Sequence, residues 1–266
     1  MNERQANTLV VTLVTVANLL IAFLISGIVI WVLGEDPWFA LKTMLYGAFG
    51  YDEGLGYTLY YTTNFIFTGL AFAIGFHCGL FNIGAEGQAY IGGLGVGLIC
   101  LWLDNWPLWL VFPLAVLASI ILGGVWGAIP GYLKAKRGSH EVVTTIMFNF
   151  IASVIMVNLL SHVLRPPKNM SPESREFAEG VWIPQMHEIF DWFGLEITQT
   201  PLNGTFIFAL FCLILVWRFI WYTRWGYELR TVGTNESAAV YAGISVSKNI
   251  FIAMVIGGGL AGFVGI

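Results

Sequence analysis

The chain has 266 residues, of which 57% are hydrophobic and only 11% charged, with a mean hydropathy of +0.76. Soluble domains carry about a quarter charged residues, so this composition excludes a soluble globular protein and points to an integral membrane protein. The formal net charge of −4 argues against nucleic acid as a partner, and Cys78, Cys100 and Cys212, all in apolar segments, show neither a metal-ligand spacing nor a disulfide framework.

After the polar start MNERQANT, residues 9–33 run without a charge. That is too long for a signal-peptide core and long enough to cross a hydrocarbon layer of roughly 30 Å, so it predicts a retained first transmembrane helix. Asp36-Pro37 reads as an N-cap followed by proline at the first helical position. It opens a short amphipathic helix over 38–49 at the outer interface. Six further apolar stretches follow, at 59–83, 89–103, 108–133, 142–164, 204–222 and 249–266. The stretch 89–103 is short for a full crossing.

Orientation follows from lysine and arginine, which concentrate in cytoplasmic connectors. Connector 134–141 carries Lys134, Lys136 and Arg137, and connector 223–248 carries Arg224, Arg230 and Lys248. Both are expected inside. Connector 34–58 holds Glu35, Asp36, Asp52 and Glu53 against Lys42, and connector 165–203 holds Glu173, Glu176, Glu179, Glu188, Asp191 and Glu196. Both are expected outside, with Trp182, Trp192 and Phe193 of the latter resting at headgroup level. Seven crossings from a cytoplasmic N-terminus satisfy every connector.

The segment GLFNIGAEGQ, 79–88, interrupts the apolar chain with Asn82, Gly84, Glu86, Gly87 and Gln88. Broken backbone and ionisable groups are tolerated in hydrocarbon only where protein or a water-filled cavity surrounds them. The break is therefore the first place to look for a translocation path. Asn82, Glu86 and Gln88 can satisfy hydroxyls or exposed backbone, and Phe72, Phe76 and Phe81 offer flat apolar faces to a sugar or base. The alternative is that Glu86 and Asn82 only tie the unwound segment together.

Further on, Ser139 is a candidate N-cap for a helix on which Glu141, Thr145, Asn149 and Ser153 recur at i, i+4 and form one polar seam. The seam either lines a solute path or joins helices by hydrogen bonds. Small residues also recur every fourth position at Gly93 and Gly97, at Gly123, Gly127 and Gly131, and at Gly257, Ala261 and Gly265, a spacing that lets helix backbones pack closely. The polar connector 231–249 has a helical core over 236–242. His77, His140, His162 and His187 are scattered, and no P-loop, HExxH or GxSxG occurs, so no ATP site or catalytic constellation is expected in this chain. The final GGGLAGFVGI has no flanking charge or cap, which is expected of a fragment of a longer protein.

Three blocks together resemble a known family. GLAFAIGFHCGLFNIGAEGQAYIGG (69–93) is similar to a glycine-rich FNIG-x-EGQ signature, GSHEVVTTIMFNFIA (138–152) to a basic loop followed by an (N/H)EV-x-x-T helix, and LRTVGTNESAAVYAGISV (229–246) to a cytoplasmic coupling loop. The family is that of permease subunits of bacterial ABC importers for simple sugars and nucleosides, within the group that includes ribose and branched-chain amino-acid permeases. Two departures are visible. Ser237 stands where the general importer loop has glutamate, and Thr62-Thr63-Asn64 where many relatives have proline, which leaves the kink of the second helix open.

The resemblance implies an all-α polytopic transmembrane helical bundle with a broken helix near 79–90, residues 1–266 forming one permease domain that lacks its C-terminal spans. It implies that Glu236, Ala238, Ala239 and Gly243 belong to the loop that meets a cytoplasmic ATP-binding-cassette ATPase. A second, related permease subunit and an external solute-binding protein complete the expected assembly, set in lipid in the bacterial inner membrane. This chain is expected to bind no cofactor, ATP being used by the partner. The rival reading is an ion-coupled secondary transporter, with Glu86 and His77 as the only well-placed titratable groups.

Overall fold

The computed structural model describes every residue except Met1, Asn2, Lys168, Phe193, Leu195 and Glu196, with residues 3–9 described by backbone alone. The expectations for Phe193 and Glu196 lie outside the described residues. The protein is all-α, with one isolated antiparallel bridge between Gln185 and Asn203.

The chain divides into two compact units, residues 1–58 and 59–266. The first holds α1 (Glu3–Val32), α2 (Pro37–Phe49) and the opening turns of α3 (Asp52–His77). The Asp36 side chain accepts from the backbone N–H of Trp38 at 2.8 Å and of Phe39 at 3.3 Å, the cap expected before Pro37. Nothing in Val10–Val32 is buried within the chain. A bare apolar helix of this length has lipid as its natural solvent.

The second unit continues α3 and adds α4 (Ala85–Trp102), α5 (Leu108–Arg137), α6 (Glu141–His162), α7 (Met186–Asp191), α8 (Thr205–Tyr222), α9 (Arg224–Thr234), α10 (Glu236–Tyr241) and α11 (Val246–Gly262). α3 runs unbroken through Thr62-Thr63-Asn64, so the missing proline leaves a continuous helix. Six described helices are long and apolar enough to cross a membrane: α1, α3, α5, α6, α8 and α11. The stretch 89–103 lies in α4, which is not among the six. Its glycines and the polar residues of its first turn dilute its hydropathy.

α11 packs against α5 through glycine. A methyl group on Gly123 would strike the carbonyl of Gly258, one on Gly127 that of Met254, and one on Gly131 the Met254 side chain at 2.7 Å. The expected 123/127/131 stripe is thus a helix–helix seam. On α11, however, the residue facing it is Gly258, one position on from the expected stripe. Gly257 instead faces the Ala71 carbonyl of α3 at 3.1 Å, and Gly265 faces Gly93. Gly262 meets Gly92 backbone to backbone, while Gly97 has nothing nearer than Phe177 at 3.9 Å.

Contacts group the connectors into two clusters. In one, the Ser247 hydroxyl donates to the Ala135 carbonyl at 3.0 Å, Lys134 pairs with Glu141 at 2.8 Å, and Gly79 abuts Gly233. In the other, Arg175 pairs with Asp104 and donates to the Leu101 carbonyl, both near the end of α4. α4 therefore links the two clusters. Ser139 does not cap α6. His140 occupies the N-cap position without a side-chain bond, and the Ser139 hydroxyl is buried without a partner among the described residues. The turn is fixed instead by Gly138 in the left-handed conformation and by the Lys134–Glu141 pair.

Candidate functional site: the break between α3 and α4

The break is shorter than 79–90. α3 closes at His77, and α4 starts at Ala85, so Glu86, Gly87 and Gln88 lie in the first turns of α4. Gly79, with φ +76°, makes the closure possible: its N–H reaches the Phe76 carbonyl and that of Leu80 the Gly75 carbonyl, both at 3.0 Å. This paired pattern ends a helix at a left-handed residue and satisfies its orphan carbonyls.

The unwound chain then satisfies itself with carboxamides. Asn82 is 2% exposed and Gln88 1%. The Asn82 oxygen accepts from the Gly84 N–H at 2.9 Å, and its nitrogen donates to the Gln88 oxygen at 3.2 Å. Gly84, the N-cap residue of α4, has no side chain to cap the first turn. Asn149 of α6 does so in its place, accepting from the Gly87 N–H at 2.9 Å and donating to the Ile83 carbonyl at 3.0 Å. One side chain from another helix thus serves both an orphan amide and a carbonyl of the break.

The signature glycines permit this approach. A methyl group on Gly87 would sit 2.9 Å from the Cα of Asn149. One on Gly84 would sit 3.0 Å from the Thr145 Cβ and 3.1 Å from the Gln88 nitrogen. Thr145 is fully buried and returns its hydroxyl to the Glu141 carbonyl at 2.8 Å. Thr145 and Asn149 of the seam therefore join α6 to the break, while Glu141 pairs with Lys134 at the helix start.

Glu86 takes no part in this clasp. It is exposed in the first turn of α4, with the Tyr90 hydroxyl at 3.5 Å as its one side-chain hydrogen-bond partner among the described residues. Phe76 and Phe81 are also exposed. Phe72 lies between them, 5.9 Å from Phe76 and edge-on to Phe81 at 5.1 Å. Glu86, Phe76 and Phe81 thus sit on the open side of the break, and Asn82, Gly84, Gly87 and Gln88 on its packed side.

The polar connector meets the break directly. A methyl group on Gly233 would stand 2.8 Å from the Gly79 nitrogen and 2.9 Å from the Cys78 carbonyl carbon, and would collide with the His77 carbonyl oxygen. The same end of α3 is held by His77 edge-on to Trp221, over which the Arg230 guanidinium lies at 4.6 Å. Beyond Gly233, Asn235 caps α10 by accepting from the Ala238 N–H at 3.0 Å, and Gly243, φ +74°, closes it. Ala239 is fully buried on the inner face of α10. Glu236, Ala238, Val240 and Tyr241 face outward, Tyr241 at 94% exposure.

Neither Gly233 nor the capping role of Asn149 is visible in the sequence pattern. Gly233 is a lone glycine in a polar segment, and Asn149 reads only as one position of a seam. Among the described residues no three His, Cys, Asp or Glu side chains gather as a metal site.

Residues 54–266 match the family described as branched-chain amino acid transport system / permease component. The chain is 37% identical over 219 residues to the guanosine ABC transporter permease protein of Bacillus subtilis, covering 82% of this chain and 60% of that protein. It is 30% identical over 254 residues to the nucleoside ABC transporter permease protein of Lactococcus lactis, covering 96% and 69%. The ribose import permease protein of Escherichia coli K12 is 31% identical over 152 residues, covering 57% and 43%. No solved structure matches. The chain thus spans well under the full length of the curated relatives it matches, and it belongs to the branched-chain amino acid transport system permease family as a multi-pass membrane protein.

Proposed function

We propose that the chain is the membrane-spanning permease subunit of an ATP-binding-cassette importer for a small polar solute, a nucleoside or simple sugar. An external binding protein delivers the solute, a second related permease completes the pathway, and a separate cytoplasmic ATPase hydrolyses the ATP. The cluster bearing Lys134, Lys136 and Arg137 then faces the cytoplasm of a bacterial cell, with the N-terminus on the same side of the inner membrane.

The observation that carries this reading is the joint at Gly79 and Gly233. It puts the break between α3 and α4 in backbone contact with a polar connector whose short helix presents Val240 and Tyr241 outward. A force applied to α10 by a docked ATPase has a direct route to the break. Glu86, Phe76 and Phe81 form the face toward the solute path, while Asn82, Gln88, Thr145 and Asn149 hold the break in shape. Broken helices bordering a polar site are the recurring device of alternating access.

The test is uptake of labelled guanosine by proteoliposomes holding the full permease pair, ATPase and binding protein, with and without internal ATP. The expected uptake requires ATP and survives collapse of the proton gradient. Uptake that follows the proton gradient and ignores ATP overturns the proposal in favour of an ion-coupled carrier.

A further inference from the structure

The C-terminal end of α5 and the N-terminal end of α11 enclose a cavity of about 310 Å³, lined by Tyr132, Lys136, Ser245, Lys248 and Phe251. The Ser247 hydroxyl closes its floor by donating to the Ala135 carbonyl at 3.0 Å. Its two lysines come from different helices. Lys134, two residues before Lys136, is neutralised by Glu141 at 2.8 Å, but among the described residues no carboxylate forms an ion pair with Lys136 or Lys248. Ser245, the N-cap residue of α11, makes no side-chain cap bond. The amides at that helix start add their partial positive charge to the lysines.

The rest of the lining is apolar: Tyr132 and Phe251 are 51% and 37% exposed beside Ala135. From Tyr132 an exposed stripe continues along one face of α5 through Ile129, Val125, Ile121 and Leu117, at the spacing of successive helical turns. A cationic rim beside apolar walls, continuous with an apolar track into the membrane, suits an amphiphile with one anionic head. Inorganic phosphate has no use for the track, and an acidic peptide has none for its depth.

We infer that this cavity is a binding site for an anionic phospholipid. Its phosphate sits between Lys136 and Lys248 at the start of α11, and an acyl chain lies along α5. Basic pockets between transmembrane helices hold such head groups, each lysine contributing about 1 kcal/mol.

The test is native mass spectrometry of the assembled transporter, equilibrated with phosphatidylglycerol or phosphatidylethanolamine. Phosphatidylglycerol is expected to remain on the wild type and phosphatidylethanolamine to leave. The Lys136→Gln/Lys248→Gln variant should retain phosphatidylglycerol about thirtyfold less well, the effect of two interfacial charges. The Lys136→Arg/Lys248→Arg variant should retain it as the wild type does, which separates loss of charge from loss of fold. Four results each overturn the inference: no retained phosphatidylglycerol, equal retention of both lipids, full displacement by inorganic phosphate, or unchanged retention in the Gln variant with loss of the ATPase from the complex. The last would assign the cavity to an acidic segment of that subunit.

Discussion

Gly233→Ala sets helix propensity against contact. Position 233 lies in the last turn of α9, where alanine is favoured over glycine by up to about 1 kcal/mol. Propensity alone therefore leaves the variant neutral or slightly stabilised. The contact argues the other way. The added methyl stands 2.8 Å from the Gly79 nitrogen and 2.9 Å from the Cys78 carbonyl carbon, with the His77 carbonyl oxygen closer still. Non-bonded heavy atoms settle at about 3.5–4.0 Å, so α9 must withdraw from the break by roughly 0.5–1 Å. Overpacking of this kind costs about 1–3 kcal/mol. Expressed in coupling between two sites, that range is about a 5- to 150-fold change. The assay is ATP-driven uptake in proteoliposomes, with ATP hydrolysis and co-purification of the ATPase measured on the same preparation. The expected variant assembles and hydrolyses ATP but imports poorly. Gly79→Ala should do the same from the other side, since its φ is +76° and its methyl would lie 3.2 Å from the Gly233 Cα. Wild-type uptake in both variants would refute transmission through this joint.

Asn149→Leu should lower the thermal midpoint of the solubilised complex, because it strips the buried Gly87 N–H of its partner at about 1–3 kcal/mol and also frees the more exposed Ile83 carbonyl; an unchanged midpoint would show that other groups cap α4. Glu86→Ala should reduce uptake with assembly and midpoint intact, since its carboxylate is exposed and outside the clasp; normal uptake at normal expression counts against any role in transport. Ala239→Leu, overpacking a fully buried position at about 1–3 kcal/mol, and Gly243→Asp, placing a side chain at φ +74°, should both uncouple hydrolysis from uptake. Full ATPase yield together with full uptake would disprove that.

The membrane class, the helical architecture and the position of the break are legible because each rests on a local signal: charge-free runs, an Asp-Pro cap, and amides and glycines inside an apolar stretch. What escaped the sequence depends on which surfaces meet. Asn82 and Glu86 look alike as polar residues of one motif, yet one is buried against Gln88 and the other open, because Asn82 lies in the unwound chain packed on α4 whereas Glu86 lies on the exposed face of the helix that restarts at Ala85. Gly257 and Gly258 are equally small, and only the helix crossing decides that Gly258 meets Gly123. Ser139 has the right chemistry for a cap, but the turn at Gly138 buries its hydroxyl elsewhere. Gly233 carries no periodic signal at all.

On the importer reading, the clasp narrows what this chain can recognise. A carboxamide offers one oxygen, with two lone pairs, and one NH₂, with two hydrogens. Asn149 commits both to backbone, and Asn82 and Gln88 bind each other and Gly84. Asn82 and Gln88, both buried, are therefore out of a solute's reach, and Asn149 already holds backbone with both its oxygen and its nitrogen. On the importer reading, recognition by this chain falls to the exposed groups of the break: the Glu86 carboxylate, the Tyr90 hydroxyl beside it, and the Phe76 and Phe81 rings. A carboxylate accepts two hydroxyl donors, and an aromatic face stacks a base or an apolar sugar face, which suits an uncharged ribose with its vicinal diol. The same carboxylate repels a phosphate, at a like-charge cost of several kcal/mol when desolvated. Guanosine should therefore compete for uptake at least about a hundredfold better than guanosine monophosphate, and Glu86→Gln should shrink that margin. Competition should be measured with solute supplied in excess of the binding protein. Equal competition by the two solutes in the wild type, or a margin that Glu86→Gln leaves unchanged, would show that Glu86 does not face the cargo.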